Sequence, residues 1–241
     1  MTKLSVNINK IALLRNSRGR NFPDVAVFAA RCLELGAHGI TLHPRPDQRH
    51  ARYSDIAVLK TLCSARRAEL NIEGYPDDRF VGEVIQAQPA QCTLVPDSPG
   101  QLTSDHGWDL RRESVLLARV CAKLQAARIR VSLFVDAGNP HFQIARDLGA
   151  DRIELYTEPY AETFHTAEHA QVLARFREAA QCAQGYGLGV NAGHDLNLEN
   201  LRSFVQIPDI LEVSIGHALI VESLELGLPT VISRYLNLVK V

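Results

Sequence analysis

The sequence contains few lysines, and this shortage argues against one kind of catalysis. Its 26 Lys and Arg residues include only five lysines, at positions 3, 10, 60, 123 and 240, so the other 21 are arginines. A Schiff-base aldolase needs a lysine amine that reaches the substrate from a strand. Lys10 is the only lysine near the end of an apolar, strand-like run, which makes Schiff-base chemistry a poor fit.

An excess of charge of one sign, paired cysteines and long apolar runs are also missing. The 26 basic and 27 acidic residues leave a formal charge of -1, so no overall field attracts nucleic acid or anionic lipid. The five cysteines are widely spaced and include no C-x-x-C pair, which argues against a disulfide framework or a zinc site. No stretch approaches the roughly 18 apolar residues of a membrane span. We therefore expect a cytoplasmic protein that binds neither nucleic acid nor membrane.

Short apolar runs alternate with helix-length segments along the whole chain. The expected strands are residues 4–9, 39–43, 70–73, 91–95, 129–136, 152–156, 188–191 and 210–215. The clearest helical patterns are residues 24–35, 54–65, 111–127, 140–148 and 165–183. Strands that alternate with helices indicate parallel strands in βαβ units.

Eight such units fit a closed (β/α)8 barrel, the TIM-barrel architecture. The alternative is a doubly wound open sheet, which usually has fewer strands and a glycine-rich phosphate turn after the first. The first turn here reads Asn9-Lys10-Ile11-Ala12 and has no such glycines. Since no linker or composition break divides the 241 residues, we expect one barrel domain over residues 1–241.

Polar residues alternate with apolar ones inside the expected strands. The polar members include Ser5, Asn7, Thr41, His43, Asn71, Glu73, Glu154, Glu212 and Ser214. Successive strand side chains point to opposite faces, so an apolar set facing the helices places this polar set on the barrel axis. A buried polar group without a partner costs about 1–3 kcal/mol. We therefore expect the deeper groups to bond one another and the last inward group of each strand to serve function at the mouth.

Ionisable side chains gather at those strand ends. They are His43, Glu73, Glu154 and His194. Histidine titrates near pH 6.5, or about neutrality, and burial can raise a glutamate into the same range. Two histidines and two carboxylates from separate strands therefore indicate general acid-base catalysis.

The loops after four strands suggest phosphate binding. Residues 16–20 and 43–50 carry guanidinium groups, which hold phosphate through paired hydrogen bonds. Residues 191–195 and 215–218 are expected to bring backbone N–H groups to helix starts, the favoured phosphate seat of barrels. The first arginine-rich loop is equally well explained as a solvated rim.

Two other functions remain open at this point. The same histidines and glutamates could in principle hold the metal of a barrel hydrolase, although no H-x-H or H-x-x-E-H pattern is present. The other alternative is a barrel that binds phosphate without catalysis. Bound metal in the purified protein, and turnover after chelation, distinguish a metal-dependent hydrolase from a metal-free enzyme.

Motifs along nearly the whole chain resemble those of the pyridoxine 5′-phosphate synthase family. They are NINKIALLR (7–15), GITLHPR (39–45), NIE (71–73), LVP (94–96), RVSLFVD (130–136), IELYT (153–157), VNAGH (190–194) and SIGHA (214–218). The resemblance implies a barrel without cofactor or metal that forms a homo-octamer. Its expected reaction joins 1-deoxy-D-xylulose 5-phosphate and 3-amino-2-oxopropyl phosphate to give pyridoxine 5′-phosphate, inorganic phosphate and water.

The resemblance also implies roles for particular residues. Glu73 and His43 would accept protons, His194 would donate one, and Glu154 would stabilise charge in the transition state. The aminoketone phosphate would be held by Asn7, Arg18, Asp195, Gly216 and His217. The sugar phosphate would be held by Arg45, His50 and Thr103.

The sequence departs from the family pattern in three places. Asn9-Lys10 stands where many members have Asp-His, Gly74-Tyr75-Pro76 follows Glu73 where small apolar residues are usual, and Asp195 replaces a glycine. The first departure bears on the sugar-phosphate contacts of the first strand, although a lysine there could itself attract phosphate.

Overall fold

Parallel strands form a closed barrel in the computed structural model, in the order β1 to β8. The structure describes residues 1–97, 101 and 103–240. The strands are β1 Lys3–Asn7, β2 Gly39–Leu42, β3 Glu69–Gly74, β4 Gln91–Leu94, β5 Arg130–Val135, β6 Arg152–Tyr156, β7 Gly189–Gly193 and β8 Ile210–Ile215. Every neighbouring pair is parallel, and β1 closes the barrel against β8. The predicted fold class is confirmed.

Helices cover the outside of the barrel. They are α1 Asn9–Asn16, α2 Val25–Glu34, α3 Tyr53–Arg66, α4 Asp78–Ala87, α5 Ser114–Ala126, α6 Phe142–Asp147, α7 Glu158–Thr163, α8 His169–Gly185, α9 Leu201–Phe204, α10 His217–Leu226 and α11 Leu228–Leu238. Asp24 caps α2 by accepting hydrogen bonds from two backbone N–H groups of its first turn, which satisfies donors that a helix start leaves open. None of the helices in the described ranges combines the length and apolarity needed to cross a membrane.

The first strand is shorter than its sequence pattern predicts. The pattern continues through Asn9, but β1 ends at Asn7 and α1 begins at Asn9. The Asn7 side-chain oxygen accepts a hydrogen bond from the Asn9 N–H at 3.0 Å. This local bond offers the backbone an alternative to the strand ladder, so the chain turns into a helix two residues early.

The strand alternation sorts the side chains as expected. Outward apolar residues such as Leu4 and Ile40 are fully buried beneath the helices. Inward polar residues bond one another across strands: Ser5 and Thr41 share a hydrogen bond of 2.7 Å, and the Thr93 hydroxyl donates to Asn71 at 3.1 Å. These deeper groups therefore bond one another as the sequence predicts, whereas Nδ2 of Asn71 and the Ser214 hydroxyl are buried without a partner among the described residues.

Charged residues fill the barrel end where the strands begin. Glu69 pairs with both Lys3 and Arg130. Although burial opposes ionisation, the hydrogen bonds from these two cations lower the pKa of Glu69 to about 2. Nearby, burial is only partly offset by Arg152, so the pKa of Glu212 is raised to about 7. A carboxylate network thus runs along the axis toward the opposite mouth.

Candidate active site

Two buried glutamates face the barrel axis near the carboxyl ends of their strands. Glu73 lies in β3 and Glu154 in β6, and their exposed fractions are 9% and 3%. The Asn7 amide donates to Oε2 of Glu73 at 3.4 Å. The Thr93 hydroxyl oxygen lies at the same distance, 3.4 Å, from Oε2 of Glu154. Few donors support either carboxylate, which favours the protonated form in this low-dielectric setting.

Both glutamates have raised pKa values. Burial, and next the charge of Glu154, raise the pKa of Glu73 well above its ordinary value. Burial, and next the charge of Glu212, raise the pKa of Glu154 to about 8. A raised pKa makes the ionised form of a carboxyl group a stronger proton acceptor, so both side chains are suited to take up and return protons. The pair therefore has the properties of a general acid-base site.

His43 follows β2 directly and is buried with an exposed fraction of 5%. Its backbone N–H donates to the Asn9 side chain at 2.9 Å, which fixes the start of the loop. Burial, and next the positive charge of Arg45, lower the pKa of His43 well below its ordinary value. The imidazole is therefore neutral at pH 7 and keeps a nitrogen free to accept a proton.

Arg45 and His50 share the loop after β2 with His43. The Arg45 guanidinium donates to Asp97 and to the Gln101 carbonyl, the latter at 2.8 Å. The His50 ring lies edge-on to His43 with ring centroids 5.9 Å apart. Burial, and next Arg45, lower the pKa of His50 to about 4. The loop thus presents one buried cation beside two neutral imidazoles.

The end of α1 holds this loop in place. The Asn16 amide donates to three successive loop carbonyls, those of Gln48, Arg49 and His50, at 3.1, 3.0 and 2.8 Å. Arg15, which is 2% exposed, donates to the His50 carbonyl at 3.2 Å. The end of the first helix therefore positions the loop that carries Arg45 and His50, which are predicted to bind phosphate.

His194 follows β7 and joins two distant parts of the chain. Its Nε2 lies 3.0 Å from the Thr103 hydroxyl, and its Nδ1 lies 3.0 Å from Oδ2 of Asp195. The edge of its ring meets Tyr156, with centroids 5.1 Å apart. Both His194 and Asp195 have positive φ, 91° and 57°, a conformation uncommon for residues other than glycine. Such strained residues cluster at functional sites.

The remaining predicted residues lie at the rim. Gly216 precedes the first residue of α10, His217, so the N–H groups of that first turn have no partner within the helix. A Cβ atom on Gly216 would lie 3.1 Å from Cβ of Asn7, which places these two predicted contacts side by side. Arg18 is exposed in the turn after α1, in keeping with either reading of that loop.

The structure therefore groups most predicted residues into three contacting sets. His43 and His50 form one, on which the charge of Arg45 acts; Asn7, Glu73 and Gly216 form another; Thr103, His194 and Asp195 form the third. The expectation of helix starts after two strands holds after β8, where α10 begins at His217. It is wrong after β7, where a loop precedes α9 at Leu201.

Sequence reasoning missed two buried polar residues in this region. Asp97 pairs with Arg45, and its side chain is 2% exposed. The Tyr156 hydroxyl is buried without a hydrogen-bond partner among the described residues. The sequence offers a signal for each residue. Asp97 follows the fourth strand closely, and Tyr156 lies two positions beyond Glu154 on the same strand face.

One group in the described part of the chain has the geometry of a metal site. Glu158, His194 and Asp195 each offer a donor atom, and these atoms lie within 4.8 Å of one another. The metal set considered from sequence, which combined His43, Glu73, Glu154 and His194, does not converge in this way. Asp195 already pairs with His194, so the ring nitrogen is satisfied by protein.

The chain matches one protein family over residues 4–241, that of the pyridoxal phosphate biosynthesis protein PdxJ. It is 53% identical over 246 residues to a pyridoxine 5′-phosphate synthase of Xanthomonas campestris pv. campestris (strain B100), with 99% of this chain and 96% of the relative covered. It is 51% identical over 236 residues to the same-named protein of Parabacteroides distasonis, with 98% of each covered.

Solved structures with the same architecture are more distant in sequence. A thiamine phosphate pyrophosphorylase from Pyrococcus furiosus superposes with a TM-score of 0.64 at 16% identity, covering 99% of this chain and 95% of its own. A phosphoribosyl anthranilate isomerase from Thermus thermophilus gives 0.60 at 12% identity, covering 98% and 100%. Identities this low support the barrel fold and nothing about the reaction.

Proposed function

Because this chain belongs to the PdxJ family of pyridoxal phosphate biosynthesis proteins, we propose how its barrel mouth makes pyridoxine 5′-phosphate. The chain is an enzyme of this synthesis, by its family and by curated relatives at about half identity. The proposed substrates are 1-deoxy-D-xylulose 5-phosphate and 3-amino-2-oxopropyl phosphate. The products are pyridoxine 5′-phosphate, inorganic phosphate and water.

One observation carries the assignment of the acid-base groups. Burial raises the pKa of Glu73 and brings that of Glu154 to about 8, while it lowers the pKa of His43. Raised pKa values make the two carboxylates stronger proton acceptors when they are ionised, and a lowered pKa keeps His43 neutral and able to accept a proton. Such a set supplies the repeated proton transfers that amine addition, dehydration and ring closure require.

Each group has a distinct proposed role. Neutral His43 and the ionised form of Glu73 accept protons from the condensing substrates. His194, hydrogen-bonded to Thr103 and Asp195, donates a proton to a leaving oxygen. In its ionised form, Glu154 stabilises charge that develops in the transition state. Because the groups come from separate strands, they surround the substrate and fix its orientation.

The two phosphorylated substrates are proposed to bind on different sides of the mouth. Arg45, His50 and Thr103 would hold the sugar phosphate, where the buried guanidinium supplies the charge. Asn7, Arg18, Asp195, Gly216 and His217 would hold the aminoketone phosphate, where the N-terminal turn of α10 supplies backbone donors.

Asp195 has a particular task within this second set. A hydrogen bond from His194 lowers the pKa of Asp195 although burial opposes it, so its side chain is an anion at neutral pH. A carboxylate repels phosphate, so we assign Asp195 to the amino group of the substrate.

Assembly and location belong to the same proposal. A homo-octamer is the expected form by family resemblance. All five cysteines are free thiols, which suits the cytoplasm.

Genetic complementation tests the proposed function. A bacterial strain that lacks its own pyridoxine 5′-phosphate synthase and needs added pyridoxine would be given this chain. We expect growth without pyridoxine, and no growth when the chain carries Glu73→Gln. Failure of the well-expressed wild-type chain to restore growth contradicts the proposal.

A further inference from the structure

We propose that Asp97 is a positioning residue that orients both Arg45 and His43 for the sugar phosphate. Asp97 lies three residues beyond the end of β4, whereas its two partners follow β2. The inference rests on the proposed function, because it assigns a task to Asp97 within that same site. It follows from three features of the surroundings of Asp97.

The ion pair with Arg45 is the first feature. The Arg45 and Asp97 side chains are only 6% and 2% exposed. Oδ2 of Asp97 accepts hydrogen bonds from Arg45 and from the Ser104 hydroxyl, the latter at 2.9 Å. A buried ion pair fixes side-chain geometry more than it stabilises the fold. Here it fixes the guanidinium that would grip the sugar phosphate.

The approach to His43 is the second feature. Nδ1 of His43 lies 3.9 Å from the same Oδ2 of Asp97. An anion on this side of the ring favours the tautomer with a proton on Nδ1, because the N–H dipole then points at negative charge. Nε2 is left as the proton acceptor. Asp97 thus acts on His43 as the orienting carboxylate acts on the base of other acid-base sites.

Two unsatisfied atoms are the third feature. Nε of Arg45 and Oδ1 of Asp97 are buried and have no hydrogen-bond partner among the described residues. Buried polar atoms are nearly always paired in folded proteins. The open Nε donor is therefore available for a phosphate oxygen of the substrate, while Asp97 holds Nη2 and the Gln101 carbonyl holds Nη1.

The charges around Asp97 set the expected effect of neutralising it. Arg45, Arg49, His106 and Asp105 act on it electrostatically, and it in turn acts on Glu73. The Asp97 charge helps to raise the pKa of Glu73, and an anion near His43 favours its protonated form. Asp97→Asn removes both effects. The pH at which the proton acceptors lose their protons should then fall.

Steady-state kinetics of two variants test the inference. We expect Asp97→Asn to raise KM for 1-deoxy-D-xylulose 5-phosphate by about tenfold or more, with a much smaller change in KM for the aminoketone phosphate. The acid limb of kcat/KM should move down by about half a pH unit. Ser104→Ala is the matched control, since it removes a hydrogen bond to the same oxygen but keeps the charge, and both quantities should stay near wild type.

Two results overturn the inference. One is an unmoved acid limb in Asp97→Asn together with equal changes in the two KM values, as expected of general structural damage. If Asp97→Asn does not fold, Asp97→Glu keeps the charge and displaces it by one methylene. In that variant an unchanged KM for the sugar phosphate is the contradictory result.

Calorimetry separates this inference from the proposed function. Titration of each variant with 1-deoxy-D-xylulose 5-phosphate alone measures binding without turnover, and Asp97→Asn should bind about tenfold more weakly than wild type. If the wild-type chain binds this substrate but forms no product, the proposed reaction is contradicted. The role of Asp97 can still be tested in that case, because it depends only on the difference in affinity. Equal binding by wild type and Asp97→Asn rejects the role of Asp97 even when product forms.

Discussion

Gly193 in β7 lies so close to Glu154 in β6 that a Cβ atom on Gly193 would be 2.3 Å from Oε1 of Glu154. No unbonded carbon and oxygen atoms approach to that distance in a relaxed structure. Because glycine has no side chain, position 193 leaves the space that the Glu154 carboxylate occupies. The residue before His194 thus controls the position of a group on a neighbouring strand.

Gly193→Ala should damage both the site and the fold. The added methyl group must displace the Glu154 carboxylate, and overpacking of this kind costs about 1–3 kcal/mol. We expect kcat to fall by about tenfold or more through misplacement of a charged group. Thermal unfolding and steady-state kinetics measure the two effects. A variant with wild-type kcat would show that Glu154 needs no fixed position.

Gly82→Ala is the matched control for that substitution. Gly82 is exposed within α4, and a Cβ atom there would meet nothing within 4 Å. Alanine is favoured over glycine in a helix by about 0.8–1 kcal/mol. We expect slightly higher stability and unchanged kcat, which separates the effect of a methyl group from the effect of its location.

Glu73→Gln should stop ring formation while phosphate binding survives. The amide keeps the size of the side chain but cannot accept a proton, so we expect a loss of about 10²–10⁴-fold in kcat. Calorimetric titration with each phosphate substrate should give nearly wild-type affinities. Normal product formation by the variant removes Glu73 from the mechanism.

Arg45→Ala should weaken the sugar phosphate more than the aminoketone phosphate. The substitution also leaves Asp97 buried without its partner, which costs about 3–5 kcal/mol of stability. Adding Asp97→Asn to the same chain should restore part of that stability but none of the sugar-phosphate affinity. Equal losses for the two ligands in calorimetric titrations contradict the assignment of Arg45.

The buried Glu212 should make stability depend on pH. Its pKa is raised from 4.5 to about 7 by burial, so the folded state binds a proton more tightly than the unfolded chain. The buried position of Glu212 therefore costs no stability below about pH 4.5. The loss of stability grows as pH rises from about 4.5 to about 7 and reaches its full size above about pH 7.

Glu212→Gln removes that ionisation and tests the sign. The stability advantage of the variant over wild type should be small at about pH 5 and larger at about pH 8. Thermal unfolding of both proteins at the two pH values measures it. An advantage that shrinks as pH rises contradicts the environment described for Glu212.

Much of the architecture can be predicted from the sequence because strand alternation is a local signal. Period-2 placement of Ser5, Thr41 and Asn71 predicts an inward polar set, and these groups are indeed bonded within the barrel. The same alternation predicts that Glu73 and Glu154 face the axis. Loop residues next to strand ends, such as His43, follow from the same pattern.

The rest depends on contacts that no local pattern reveals. Arg45 and Asp97 pair across 52 positions, and neither segment signals its partner. The left-handed backbone at His194 and Asp195 lacks the glycine that usually marks it. The early end of β1 depends on a side-chain hydrogen bond of Asn7, which competes with a strand pattern that continues through Asn9.

Product formation by chelator-treated protein tests the central claim most directly. Wild-type chain stripped of metal would be mixed with both phosphate substrates, and the ultraviolet absorbance of a pyridine ring would be followed. We predict that the absorbance appears at the same rate with and without chelation, since His43, Glu73, Glu154 and His194 carry the proton transfers. Absorbance that appears only after a divalent metal is added, or never appears, contradicts that claim.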